Sequence, residues 1–236
     1  SMKKQLSLLP ILLLLHSLSA LAQDSLSARQ IIEKNIEAQG GRSTLQSIRT
    51  VYTEFATRIQ GHDCHVVIKE MLPNKGSFEI VYQGRTVYKS VFDGKQGFDI
   101  QNGKKVPEPA DDNNDKFFKK NIFNELDYLD TTLYTIGLLP EAMLGQEPVY
   151  VIKASLKNGA EHVLYYSKKT FLELKSERTK LPENERSNAT LIDQWSKYQN
   201  LMYPSQQRMF VGTDHEQTLT LLNIYFNEKV GDADFQ

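Results

Sequence analysis

TVYTEFATRIQGHDCHVVIKEMLPNKGSFEIVYQGRTVYKSVFDGKQGFDIQ, the stretch from Thr50 to Gln101, decides the fold of this chain. Apolar and polar residues alternate along it with a period of two, and turn formers interrupt the alternation at short intervals. The pattern predicts strands at Thr50 to Gln60, His65 to Leu72, Gly76 to Gln83, Thr86 to Asp93 and Gln96 to Gln101. The separators are Gly61-His62-Asp63, Pro73-Asn74-Lys75, Gln83-Gly84-Arg85, Asp93-Gly94-Lys95 and Asn102-Gly103. A parallel crossover needs a dozen residues or more, so separators this short impose antiparallel neighbours. The stretch is a meander.

Strands return in the second half, at Pro148 to Leu156, Glu161 to Ser167, Thr170 to Thr179, Thr190 to Gln199, Tyr203 to Val211 and Gln217 to Asn227. Asn158-Gly159 is a type I′ hairpin signal. Lys180 to Asn188 is polar, charged and aperiodic, and reads as a loop. Between the two strand groups, a polar loop from Lys104 to Asp115 leads into a helical run capped by Asn114, with Phe118, Ile122, Leu126 and Leu129 on one face. Thr135 to Leu144, broken by Gly137 and Pro140, reads as a short helix or lid and not as a strand. Ahead of the meander, Ser25 or Ser27 caps a helix carrying Ala28, Ile31, Ile32, Ile36 and Ala38, which Gly40-Gly41 ends.

Within the strands, alternation puts Leu172 and Leu174 on a dry face and Glu173 and Lys175 on a wet one, and sets Leu191 and Trp195 against Gln194 and Ser196. Large side chains recur on the inner faces at Phe78, Tyr82, Tyr88, Phe92, Phe98, Trp195, Ile224 and Phe226. They are either plain core or the lining of an apolar cavity under a curved sheet.

The first residues carry a different message. Met2, Lys3 and Lys4 precede an apolar run from Leu6 to Leu15, and Ser19-Ala20-Leu21-Ala22 precedes Gln23. Residues 1–22 therefore read as a secretory signal peptide, with Ser1 an addition ahead of the natural start, and residues 23–236 as one domain. A lipoprotein signal would place a Cys after the cut; Gln23 stands there, so a product without an acyl anchor is expected. Loss of Lys3 and Lys4 from 28 basic residues, against 29 acidic ones, leaves a net charge of −3. That balance argues against nucleic acid as a partner. Cys64 is the only cysteine, so no internal disulfide is available, and a small buried hydrophobe is its simplest role.

Catalytic patterns are absent from the sequence. His62-Asp63-Cys64-His65 is the one cluster of metal-ligand types, but strand alternation aims Asp63 and His65 away from Cys64. His162 and His215 are isolated, no nucleophile elbow occurs, and Gly84, Gly94, Gly97 and Gly103 are turn punctuation without a phosphate-binding pattern. No cofactor is expected.

The helix ending Gly40-Gly41, the segment Leu45 to Thr50, Leu72-Pro73-Asn74-Lys75-Gly76-Ser77-Phe78, Val91-Phe92-Asp93-Gly94-Lys95-Gln96-Gly97-Phe98, and the closing pattern of Tyr198, Met202-Tyr203-Pro204 and Phe235 resemble periplasmic outer-membrane lipoprotein-sorting proteins. These are the LolA-like carriers of the lipoprotein localisation factor superfamily, in the divergent form of Bacteroidetes-type bacteria. The resemblance implies an α+β fold: an incomplete antiparallel barrel, or strongly curved sheet, with helices over its concave face. It implies a monomeric periplasmic carrier of a lipid or an acylated lipoprotein, passing cargo from an inner-membrane exporter to an outer-membrane acceptor. Phe78, Tyr82, Phe92, Phe98, Leu172, Leu174, Trp195 and Phe226 would line the cavity, under a cover holding Phe118, Ile122, Leu138, Leu139 and Met143. Such carriers latch their lid with a strand arginine, for which Arg49, Arg58 or another residue stands open. Two alternatives are a periplasmic sensor module of the same fold and a secreted metal-dependent hydrolase using His62, Asp63 and His65.

Overall fold

A computed structural model describes residues 25–109, 115–180, 188–211 and 215–236. The signal segment and most of the loop expected at Lys180 to Asn188 lie outside them. Helix α1 (Ala28–Gln39) begins at Ser27, whose hydroxyl accepts the Gln30 N–H while Gln30 accepts the Ser27 N–H, a reciprocal cap. Its buried stripe is Ala28, Ile31, Ile32, Asn35, Ile36 and Gln39, so two polar residues share the apolar face. Helix α2 (Arg42–Ser47) follows and buries Leu45.

The meander is present as β1 (Thr50–Ile59), β2 (His62–Met71), β3 (Lys75–Tyr82), β4 (Arg85–Phe92) and β5 (Gly97–Gln101). Its turns at Gln60-Gly61, Gln83-Gly84 and Asn102-Gly103 hold both residues at positive φ, the type I′ geometry whose twist matches an antiparallel pair. The polar stretch expected as loop instead continues into a sixth strand, β6 (Lys104–Pro107), because that last turn returns the chain along β5.

The expected helical run is shorter than its periodicity implies. A 3-10 turn at Lys116–Phe118 and a helix α3 of five residues (Asn124–Tyr128) replace it, and Asn114 lies outside the described residues. Asp127 organises this corner by accepting the main-chain N–H groups of Lys120 and Asn121 and the Asn121 side-chain amide. Such side-chain bonds give the backbone an alternative to helix.

The segment read as a helix or lid is a strand, β7 (Tyr134–Leu144), paired with β8 (Glu147–Leu156). Its Pro140 falls in the ladder irregularity between Leu139 and Ala142, and β7 is an edge strand, where proline is tolerated. β9 (Glu161–Ser167) follows a three-residue loop instead of a type I′ turn. Leu156 donates to Ala160 and accepts from Gly159, and in that loop Gly159 has positive φ while Asn158 does not. The chain ends with β10 (Glu173–Lys180), β11 (Asn188–Tyr198), β12 (Leu201–Val211), β13 (His215–Phe226) and a 3-10 turn at Asp232–Phe235.

The two strand groups form one antiparallel sheet in the order β6-β5-β4-β3-β2-β1-β13-β12-β11-β10-β9-β8-β7, joined where β1 pairs with β13. The sheet is strongly curved. β2 and β10 stand five strands apart, about 24 Å if the sheet were flat, yet Glu70 of β2 and Glu173 of β10 line one small cavity. The concave face packs on α1 and α3 through Val51, Ile152, Leu164, Tyr166, Leu201 and Phe226. A second cluster of Phe55, Val66 and Leu219, edged by Ile68, Phe78, Ile80, Met209 and Leu221, continues that face. Tyr203 packs against both clusters. Cys64 is a buried free thiol.

Candidate functional site

A cavity of about 230 Å³ opens where α3 and its approach meet the concave face. Ile122, Phe123, Asn124, Glu125 and Tyr128 wall it from the helical side. Ser176, Ile192, Trp195 and Tyr203 wall it from the sheet, together with Glu70 and Glu173, and Gln39 reaches it from α1.

Two neighbouring bulges aim the sheet residues. On β10 the register slips between Glu173 and Lys175, so Glu173 lies opposite Tyr166 and Ser176 opposite Leu164, both on the concave face. Glu173 is thereby turned from its expected face, while Leu172 stays buried and Lys175 stays on the other face, opposite Tyr165. Glu173 enters the cavity, while Leu174 is taken up by the bulge. On β11 the slips flanking Gln194 bring Ile192 and Trp195, three residues apart, to the same cavity. Trp195 fastens the two bulges by donating its indole N–H to the Glu173 carbonyl at 2.8 Å.

The cavity is polar as well as aromatic. Gln39 donates to Glu125 at 2.9 Å and to Asn35 at 2.8 Å, and Asn35 donates to the Phe171 carbonyl. Lys119 bonds Glu70 at 2.9 Å. Burial, reinforced by the Glu125 charge, pushes the Glu173 carboxyl up to about 8, against a hydrogen bond from Ser176 that favours its charged form. Burial likewise raises Glu125, and it raises the hydroxyls of Tyr128, Tyr166 and Tyr203. Tyr166 is fully buried, and its hydroxyl has no hydrogen-bond partner among the described residues. Removing a carboxylate from water disfavours its charge unless a partner restores it.

Of the residues singled out from the sequence, the structure brings Trp195 and Ile122 to this cavity. Phe78 belongs to the second concave cluster and Phe226 to the main core, with its ring 6.4 Å from that of Tyr203. Tyr82 lies at the far end of β3, against His62. Phe92 is fully buried and meets Phe117 edge-on, 5.4 Å away. Phe98 is turned to the opposite face, because β5 pairs Gly97, not Phe98, with Phe92. Leu172 is buried just before β10. Phe118 packs against Leu133, Leu156 and Ala160. Leu138 and Met143 are exposed on the edge strand β7, at 43% and 61%, and Leu139 is half-buried there, so none of the three sits on a helical cover.

The His62–His65 cluster splits as strand alternation requires. His62 and Cys64 lie opposite Ile59 and Thr57, Asp63 and His65 opposite Arg58 and Ala56, on alternate faces. His65 bonds Glu54 at 2.6 Å, and Arg58 donates to the Gly61 carbonyl at the hairpin end. The Arg49 N–H is bound by Asn227. Among the described residues no three metal-ligand side chains converge, and no helix is long and apolar enough to cross a membrane.

Sequence reasoning missed Glu70, Glu125, Glu173, Gln39, Tyr128 and Tyr203. One signal was present: Asn35 and Gln39 fall on the apolar stripe of α1, where a polar residue requires a partner. Glu173 carried none, since only the bulge turns it inward.

No family model matches the chain, and no curated protein matches it either. Solved structures do. A LolA superfamily protein from Nitrosomonas europaea aligns with 90% of this chain and 98% of its own at a TM-score of 0.60 and 13% identity. A DUF1329 family protein from Desulfovibrio piger aligns with 87% of this chain and 95% of its own at a TM-score of 0.55 and 12% identity. At such identities the likeness is one of architecture, and it rests on the open, curved antiparallel sheet described above. The chain has the LolA-like fold.

Proposed function

We propose that this protein binds and carries a hydrophobic ligand, a lipid or the acyl chains of a lipoprotein. The observation that supports this reading is the continuity of the concave face. Apolar side chains run from the helix-covered core through Tyr203 to the partly buried Ile68, Phe78, Ile80 and Leu221, which lie over the buried Phe55 and Val66. At about 230 Å³ the cavity falls below the roughly 300 Å³ at which pockets for drug-sized ligands begin. It holds one end of an amphiphile, and the rest of the chain lies along the strip. Each methylene moved from water onto such a surface contributes about 0.8 kcal/mol, so binding needs no catalytic group.

Residues 1–22 would export the protein, and transfer between an inner-membrane exporter and an outer-membrane acceptor is the matching role. Native mass spectrometry of protein purified from a bacterial host, with and without delipidation, tests the carrier reading. Bound lipid and saturable uptake of a fluorescent fatty acid are expected. Recovery of no lipid together with no uptake of the probe would overturn it.

A further inference from the structure

We propose that the cavity binds the ammonium group of an aliphatic amine, with the alkyl chain directed onto the apolar strip; the chain's placement rests on the carrier reading above. Three carboxylates, Glu70, Glu125 and Glu173, line the cavity against a single lysine, Lys119, which already bonds Glu70 at 2.9 Å. Glu125 has its own main-chain N–H and Gln39 as hydrogen-bond donors, and Glu173 has Ser176. A carboxylate offers about four lone-pair sites, so acceptor capacity stays open on both.

A second observation points the same way. The Tyr166 hydroxyl is fully buried without a hydrogen-bond partner among the described residues, on the concave face directly opposite Glu173. It does not line the cavity itself, but it lies close enough to feel the charges of Glu173 and Glu125, and its oxygen is a further acceptor behind the wall they form. An ammonium carries three donors and no acceptor, which suits a site rich in acceptors. Tyr128, Trp195 and Tyr203 line the same space, and aromatic rings attract cations at their faces. A carboxylate or phosphate head group would meet like charge there.

Proton balance follows from the burial of Glu173. Charged groups facing it are Glu70 on β2, Lys119 and Glu125 before and on α3, with Tyr128, Tyr166 and Tyr203 as neutral phenols. An ammonium entering below about pH 8 stabilises the ionised Glu173, whose proton leaves to solvent. The amine itself stays charged to about pH 10, as lysine does. Affinity for the amine therefore rises as the pH approaches 8.

Trp195 is the only tryptophan of the chain and stands in the cavity wall, so its fluorescence reports on this site alone. Titration of the protein with dodecylammonium, dodecanol, dodecanoate and butylammonium is the test. Dodecylammonium is expected to bind at least about tenfold more tightly than dodecanol, the scale of one charge-assisted hydrogen bond. Glu173→Gln and Glu125→Gln, which keep the side-chain shape, reduce that advantage to about twofold or less. Dodecanol or dodecanoate binding as tightly as dodecylammonium overturns the ammonium site and leaves the carrier reading standing. Butylammonium binding as tightly as dodecylammonium supports the site and counts against the alkyl strip. No response to any ligand overturns both. If a variant does not fold, the comparison of dodecylammonium with dodecanol on the unmodified protein still decides.

Discussion

Trp195 donates its indole N–H to the main-chain carbonyl of Glu173 at 2.8 Å, tying the bulge of β11 to the bulge of β10 at the wall of the cavity. Replacement by phenylalanine keeps a six-membered aromatic ring but removes the pyrrole half of the indole and leaves that carbonyl without its donor. Trp195→Phe should lower stability by about 1–3 kcal/mol in urea denaturation, the cost of an unpaired buried acceptor. A change below about 0.5 kcal/mol would show that water takes over the carbonyl.

Glu173 makes stability depend on pH. Its folded value, about 8, lies above the ordinary 4.5, so the folded state holds the proton more tightly than the unfolded chain does. The contribution is full below about pH 4.5, declines as the pH rises and is gone above about pH 8. Urea midpoints should fall from about pH 5 to about pH 9, and Glu173→Gln should flatten the fall, with Glu125 leaving a remainder of the same sign and His162, whose imidazole burial holds below its ordinary value, one of the opposite sign. Equal declines in both proteins would exclude Glu173 as the cause.

Gly40 ends α1 at φ +137°, and a Cβ there would lie 2.4 Å from the Asn200 carbonyl oxygen in the turn between β11 and β12. Neither backbone can yield without lifting the helix from the sheet. Gly40→Ala should cost at least about 2 kcal/mol. Gly137→Ala on the exposed edge strand, with no atom within 4 Å of the added Cβ, should stay within about 0.5 kcal/mol of the unmodified protein. Similar losses in thermal or urea unfolding for both would mean that the close approach at Asn200 is not what seats α1.

For the apolar strip, Phe78→Ala should weaken uptake of a fluorescent fatty acid about tenfold, the equivalent of roughly two lost methylene contacts. Val87→Ala, at a site 61% exposed, should leave uptake unchanged. Fluorescence titration of both, after circular dichroism has shown them folded, separates a binding strip from general loss of structure. Equal effects would remove Phe78 from the binding surface.

The elements that were legible in the sequence are those governed by local geometry. Period-two alternation from Thr50 to Gln101 marks β1 to β5, and Gln83-Gly84 and Asn102-Gly103 supply the positive φ their hairpins need. The Ser27 cap and Gly40 bracket α1 for the same local reason. β7 was not legible. Gly137 and Pro140 disfavour a strand taken alone, and only the ladder with β8, at an edge that tolerates proline, outweighs them. Phe98 was placed on the wrong face because the register set by Gly97 opposite Phe92 is a property of the pair of strands.

The sequence by itself determined a strand-rich chain with a capped helix ahead of a meander, since caps, turns and alternation are settled within a few residues of each other. Only the tertiary structure decided that β1 meets β13 to make one curved sheet, and that two bulges turn Glu173 and Trp195 into one cavity. A bulge adds one residue and reverses the side-chain phase beyond it, at a position chosen by the neighbouring strand. Alternation within a single strand carries no record of that choice.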